Sequence, residues 1–266
     1  MFTVCKTITD RTLTKIGRLT NDLLAGVGKV CNLFLQSCSA IINNTIFWKN
    51  TIDQMDAVGV KSLPIVLIIS TFTGMVFSLQ IAKVFATFGL SSQLGQGLTL
   101  AFARELAPVL TGVVVAGRVG SSIAAEIGSM KVTEQIDALE TLSTSPIDYL
   151  VAPRILAGSL MMPILVIFAD IVGILGGFLV AVSYAKIPPN NFIDGILTFI
   201  KPWDFIGGII KSFFFGMVIA GIGTYKGLAT ENGAVGVGKA TTQAVVVSII
   251  IIFILNYFMS MFLYQL

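Results

Sequence analysis

Long apolar runs separated by short polar connections set the pattern of this chain. Five stretches, at about 63–88, 100–126, 153–184, 205–224 and 241–264, are apolar over the roughly 20 residues that a helix rising about 1.5 Å per residue needs to cross about 30 Å of hydrocarbon. The third is long enough to tilt or protrude, with Pro163 as a candidate kink. The first 61 residues follow another rhythm. Leu13, Ile16, Leu19, Leu23, Val27, Val30, Phe34, Cys38 and Ile41 recur every three or four positions, while Lys15, Arg18, Asn21, Asp22 and Lys29 lie off that stripe. This predicts an amphipathic helix in the membrane plane; the alternative is a soluble helix packed on a partner. No short apolar core with a small-residue cleavage site precedes the first span, so a cleavable signal peptide is not expected. The pattern is that of an all-α, polytopic membrane protein, with an interfacial region at 1–61 and a transmembrane domain at 62–266.

Between the second and third spans lies EIGSMKVTEQIDALETLSTSPIDYL, residues 126–150, the most acidic run in the chain. On a helix advancing about 100° per residue, Lys131, Glu134, Asp137 and Glu140 occupy one broad side, and Val132, Ile136 and Leu139 fall within about 60° of one another. A short amphipathic helix is expected at about 130–143, stopped by Ser143, Thr144, Ser145 and Pro146. Such a helix is too short to span. It either presents its charged side to a cytoplasmic partner or is a solvated loop helix.

Two spans carry a small residue at every fourth position: Gly112, Ala116, Gly120, Ala124 and Gly128 in the second, and Gly208, Ser212, Gly216, Ala220 and Thr224 in the fourth. Such stripes let helix backbones approach closely, either within one chain or across a homodimer seam.

Composition agrees with the pattern: 55% hydrophobic residues, 12% charged, and a mean hydropathy of +0.90. The absence of His removes the commonest metal ligand and proton shuttle. A net charge of +3 without a basic patch interleaved with aromatics gives no reason to expect a nucleic-acid partner. Cys5, Cys31 and Cys38 have neither zinc-site nor disulfide-framework spacing and read as free thiols. The positive charges report topology instead. Seven Lys and Arg lie in 1–61, and Lys131, Arg154, Lys226 and Lys239 lie on connections of the same side, against Lys83, Lys186 and Lys201 opposite. That bias puts the N-terminus and the 127–154 loop on the cytoplasmic or stromal side. A composition rich in Ile and Asn hints at an AT-rich genome such as a plastid's.

Ionisable residues in hydrocarbon cost roughly 3 kcal/mol or more and must face protein or water. Here they are Arg104, Glu105, Arg118, Glu126, Asp170 and Lys211, with Asp204 just ahead of the fourth span. Arg118 and Glu126 are near the cytoplasmic end and can snorkel or pair. If spans two and four are neighbours, Glu105 and Lys211 can meet, either as a substrate-facing polar site or as a buried pair that fixes helix register. GAVGVGKA, residues 233–240, is one residue short of a phosphate-binding loop, with Ala240 where a Mg²⁺-holding hydroxyl belongs. It is read as a Gly-rich turn into span five, and ATP hydrolysis is not expected of this chain.

The run ARELAPVLTGVVVAGRVGSSIAAEIGSMKVTEQIDALETL, followed by SPIDYLVAPRILAG, resembles the MlaE/YrbE family of permease subunits of ABC-type lipid transporters, which has plastid-envelope relatives. The similarity continues through LGG at 175–177, IKS at 210–212 and KATT at 239–242, covering roughly 55–260. The resemblance implies a homodimer carrying two cytoplasmic ATPases, which hold the ATP and Mg²⁺, and working with a lipid-binding MCE-domain protein on the far side. It implies that the loop helix couples to the ATPase through Thr133, Glu134, Gln135, Asp137, Ala138, Leu139 and Glu140, and that Glu105, Asp204 and Lys211 line or adjoin a lipid chamber between protomers. The membrane would be a bacterial inner membrane or a plastid inner envelope. Asp170 has no counterpart in the resemblance and is left structural. Two other readings remain: an ion-coupled secondary transporter using Glu105, Asp170 and Lys211, disfavoured by five spans without an inverted repeat, and a membrane anchor for an ATPase that transports nothing.

Overall fold

A computed structural model describes residues 25–26, 28–43, 47–88 and 93–264. Among them there is no strand, as the apolar pattern requires. Helix α1 covers 28–42, α2 Trp48–Val58, α3 Leu63–Thr87, α4 Leu94–Val132, α5 Gln135–Thr141, α6 Ile147–Ser183, α7 Pro189–Phe199, α8 Pro202–Leu228 and α9 Gly233–Tyr264. Five helices among the described residues are long and apolar enough to cross a membrane: α3, which continues α2 through a tight turn at Val60–Ser62, and α4, α6, α8 and α9. α6 runs on through Pro163.

α8 occupies the centre, packed against α4, α6 and α9, while α3 lies on the other side of α6. Glycines set these distances. A Cβ on Gly120 of α4 would stand 3.3 Å from Ile219 of α8, and one on Gly223 of α8 would stand 3.0 Å from the Gly120 carbonyl oxygen. Gly208 lies against the Ala103 carbonyl, and Gly216 against that of Gly158 in α6. Every member of both small-residue stripes is buried within this one chain. The stripes therefore serve intrachain packing, and neither is left open as a seam for a second copy.

Three local expectations need correction. The helix expected at 130–143 is broken, because α4 ends at Val132 and Glu134 adopts a left-handed backbone (φ 59°), so α5 starts in a new direction at Gln135. Lys131 thus belongs to α4, yet the bend brings its Nζ to 2.8 Å from Asp137 Oδ1. GAVGVGKA is not a turn but the first two turns of α9; the reversal is made by Asn232 and Gly233, both at φ 65°. The stretch after the third span also holds an unforeseen amphipathic helix, α7, which begins at Pro189 and buries Phe192 where Gly95 of α4 admits its backbone.

At one end of the bundle α1 packs Phe34 on Gly221 of α8 and Ala40 on Ala152 of α6. Val30, Phe34 and Ile41 of the predicted stripe are half-buried and Cys38 is exposed; Leu13, Ile16, Leu19, Leu23 and Val27 lie outside the described residues. Cys31 and Cys38 are free and exposed.

Candidate functional site

Arg104 and Glu105 stand on a wide, π-type turn of α4 at Phe102–Leu106, just before Pro108. Proline has no N–H to return to the carbonyl four residues earlier, and such turns release backbone acceptors. Lys211 of α8 uses that opening: its Nζ donates to the Arg104 carbonyl at 2.8 Å, to Glu105 Oε1 at 2.8 Å and to Ser260 Oγ at 2.7 Å. All three ammonium protons are thereby satisfied on a side chain with 0% exposure. Glu105 also accepts from Asn256 Nδ2 and Ser260 Oγ of α9, each at 2.7 Å, and keeps 41% of its side chain exposed.

A second pair adjoins the first. Arg104 donates through Nε (2.9 Å) and Nη2 (2.6 Å) to Asp204 Oδ1, and Asp204 Oδ2 accepts the Lys201 backbone N–H at 2.8 Å, capping α8. Tyr264 closes the cluster: its ring lies 4.4 Å from the Arg104 guanidinium carbon and 5.0 Å from Lys211 Nζ. The arrangement is a charge-balanced network in which Lys211 and Asp204 are sealed, while Arg104 and Glu105 are partly exposed. Substituting Asp204 by Ala should remove the cap and strand Arg104, lowering stability by about 2 kcal/mol in a thermal melt of the purified protein.

The opposite end of α4, 27 residues and about 40 Å from Glu105, leads into α5. Ile136 is buried against the bundle and Leu139 packs on it, whereas Thr133, Glu134, Gln135, Asp137, Ala138 and Glu140 are exposed. α5 lies at the same end as α1 and α2, where Asn50 Nδ2 donates to the Tyr149 carbonyl at 3.4 Å. Two further ion-carrying groups tie this end together. Arg118 donates to the Ala57 carbonyl (3.1 Å) and Ser62 Oγ (2.7 Å), and Arg154 pairs with Glu126 at 2.8 Å.

Comparison with known proteins decides the relationship. The family model described as Permease MlaE matches residues 51–262, most of the chain. The chain belongs to the MlaE permease family. It is similar to a probable ABC transporter permease of Synechocystis, with 48% identity over 225 residues (85% of this chain, 86% of that one). It is 43% identical over 225 residues to the chloroplastic protein trigalactosyldiacylglycerol 1 of Arabidopsis thaliana, covering 85% of this chain but only 64% of that longer protein. A probable ABC transporter permease of Rickettsia bellii is 42% identical over 245 residues, 92% of this chain and 95% of that one. This MlaE-family protein is accordingly an integral membrane subunit, an ABC transporter permease.

Within the permease, Glu105, Asp204 and Lys211 share one network, and the stretch from Thr133 to Glu140 is gathered at the other end. Asp170 belongs to neither. Asn256, Ser260 and Tyr264 went unrecognised in the sequence, although Asn256 and Ser260, four apart in the apolar second half of α9, share a face.

Proposed function

We propose that this permease moves lipid, of the phospholipid class, between membranes, driven by separate cytoplasmic ATPase subunits. The single observation that carries the reading is the placement of an exposed acidic helix, α5, and a buried polar network at opposite ends of one close-packed bundle. Nucleotide-driven motion delivered to α5 travels along α4, whose glycine contacts with α8 leave little slack. In this reading Thr133, Glu134, Gln135, Asp137, Ala138, Leu139 and Glu140 form the coupling element, with the acidic residues meeting basic ones on the ATPase and Ile136 held to the permease. ATP and Mg²⁺ belong to the partner. Glu105 and Arg104, the exposed members of the network, face a lipid chamber completed by a second copy of the chain, with Lys211 and Asp204 bracing them from behind. An MCE-domain protein on the far side follows from the family resemblance, and a glycerolipid substrate is supported by the glycerolipid named in the Arabidopsis relative. The positive-charge bias supports an orientation with α5 on the cytoplasmic or stromal face of a bacterial inner membrane or plastid inner envelope.

Purification of the complex from its membrane, with mass spectrometry of bound proteins and lipids, tests both halves. Wild type should carry an ABC ATPase and an enriched glycerolipid. Reversing Glu134 and Glu140 together to Lys should cut the retained ATPase by about tenfold, the equivalent of roughly 1.4 kcal/mol. Full retention with unchanged ATP turnover removes α5 from the coupling role, and no enriched lipid removes the substrate assignment.

A further inference from the structure

Asp170 stands in the middle third of α6 and is 4% exposed, yet its Oδ1 has no hydrogen-bond partner among the described residues. It borders an open cleft of about 560 Å³ between α6 and α8. The walls are Ile167, Ile171, Ile174 and Leu175 on α6 with Phe205 and Ile209 on α8, so among the described residues Asp170 is the one charged side chain lining it. The volume falls in the range of roughly 300–1,000 Å³ typical of small-molecule sites. The polar network does not line the cavity.

Place and chemistry narrow the occupant. Ile167 and Ile171 are 42% and 49% exposed on the outer surface of an apolar span long enough to cross a membrane. Trp203, half exposed at the start of α8, marks an interfacial level, and Phe205 and Ile209 lie within about 11 Å of that helix start. The α8 wall of the cleft therefore lies in hydrocarbon close to an interfacial level, while the α6 wall continues past Asp170 through the exposed apolar side chains of Leu175 and Leu179. A buried carboxyl without a partner is costly and calls for a hydrogen-bond donor. A phosphate brings the wrong charge. An ammonium brings a full charge and three donors to a cleft whose other walls are hydrocarbon. A hydroxyl brings one donor and no charge.

We propose that this cleft binds a neutral glycerolipid through a free hydroxyl that donates to the Asp170 carboxyl, with an acyl chain lying along Ile167, Ile171 and Ile174. The site lies beside the polar network without sharing a lining residue with it, and does not depend on the transport reading.

The probe is dioleoylglycerol carrying a photoreactive diazirine in one acyl chain, added to the full-length permease in phosphatidylcholine nanodiscs, with labelled residues mapped by mass spectrometry. Labelling should concentrate on 167–175 and 205–209. Unlabelled dioleoylglycerol should compete, and its acetyl-capped form, which lacks the hydroxyl, should compete about tenfold less well, as expected for one hydrogen bond in an apolar site. Asp170→Leu should reduce labelling by a similar factor while melting no lower than wild type; Asp170→Asn, which keeps polar capacity, should label within about twofold of wild type. Labelling unchanged by Asp170→Leu, equal competition by the capped lipid, or stronger competition by phosphatidylethanolamine would each overturn the proposal. A lowered melting temperature for Asp170→Leu would also do so by making Asp170 a packing residue. Disulfide formation between two copies bearing Ile171→Cys would assign the cleft to a chain interface instead.

Discussion

Replacing Gly216 by Val should leave little folded permease. A Cβ at that position would collide with the Gly158 carbonyl oxygen of α6 and lie 2.8 Å from Met162 Cγ; from the other side, a Cβ on Gly158 would lie 2.8 Å from the Gly216 carbonyl oxygen and 3.1 Å from Ala220 Cβ. The obstacle on both sides is backbone, which cannot rotate away as a side-chain tip can. Accommodating valine means separating α6 from α8, and that loosens the buried contacts of Met162, Leu165, Phe215 and Ile219. In a membrane there is no hydrophobic drive between helices to compensate, because lipid is as apolar as the partner helix. The cost should be on the order of 4 kcal/mol, visible as loss of the monodisperse gel-filtration peak and a collapsed thermal transition. Gly117→Ala is the control, since a Cβ there meets nothing within 4 Å and the melt should be unchanged.

The second large effect concerns Lys211. Substitution by Met, of similar length but without charge, removes the donor that satisfies the Arg104 carbonyl and pairs with Glu105. Because Glu105 is 41% exposed, part of its charge is recovered by solvent or lipid head groups, and the loss should be about 3 kcal/mol, the lower end for breaking a buried pair. Adding Glu105→Gln should restore most of that stability, since an amide no longer leaves an uncompensated charge and still reaches Asn256 and Ser260. Thermal melts of the two variants test this directly. ATP-driven lipid transfer by the double variant then separates the two roles. Normal transfer makes the pair a register lock, and defective transfer on a recovered fold makes it part of the lipid path.

Much of the architecture was legible because apolar periodicity is local. Twenty consecutive apolar residues have few alternatives in a chain this greasy, so the spans emerged with errors mainly at their ends. Those ends were misplaced where the helix outruns its apolar stretch, as at Gly233, where glycines that look like a turn are held helical on α9. The bend between α4 and α5 was missed for a related reason. Nothing in the letters of Thr133 and Glu134 demands a left-handed residue, and the side-chain pattern continues almost in phase across it.

The polar network was half legible. Charges in hydrocarbon announce themselves by their cost, so Arg104, Glu105, Asp204 and Lys211 stood out as residues in need of partners. Whether Glu105 would find Lys211 depended on α4 and α8 being neighbours, a relation between residues 106 apart that no local pattern encodes. The order of residues is enough to specify a set of membrane helices with an amphipathic stretch on one side and a few charges that must not meet lipid alone. Helix packing settles the rest: both small-residue stripes are spent inside one chain, Lys211 is sealed while Glu105 remains partly open, and Asp170 is left facing a greasy cleft. The division follows from range: burial preference acts residue by residue along the chain, whereas a contact requires two helices to be adjacent and rotated toward one another, which the summed packing of the whole bundle sets.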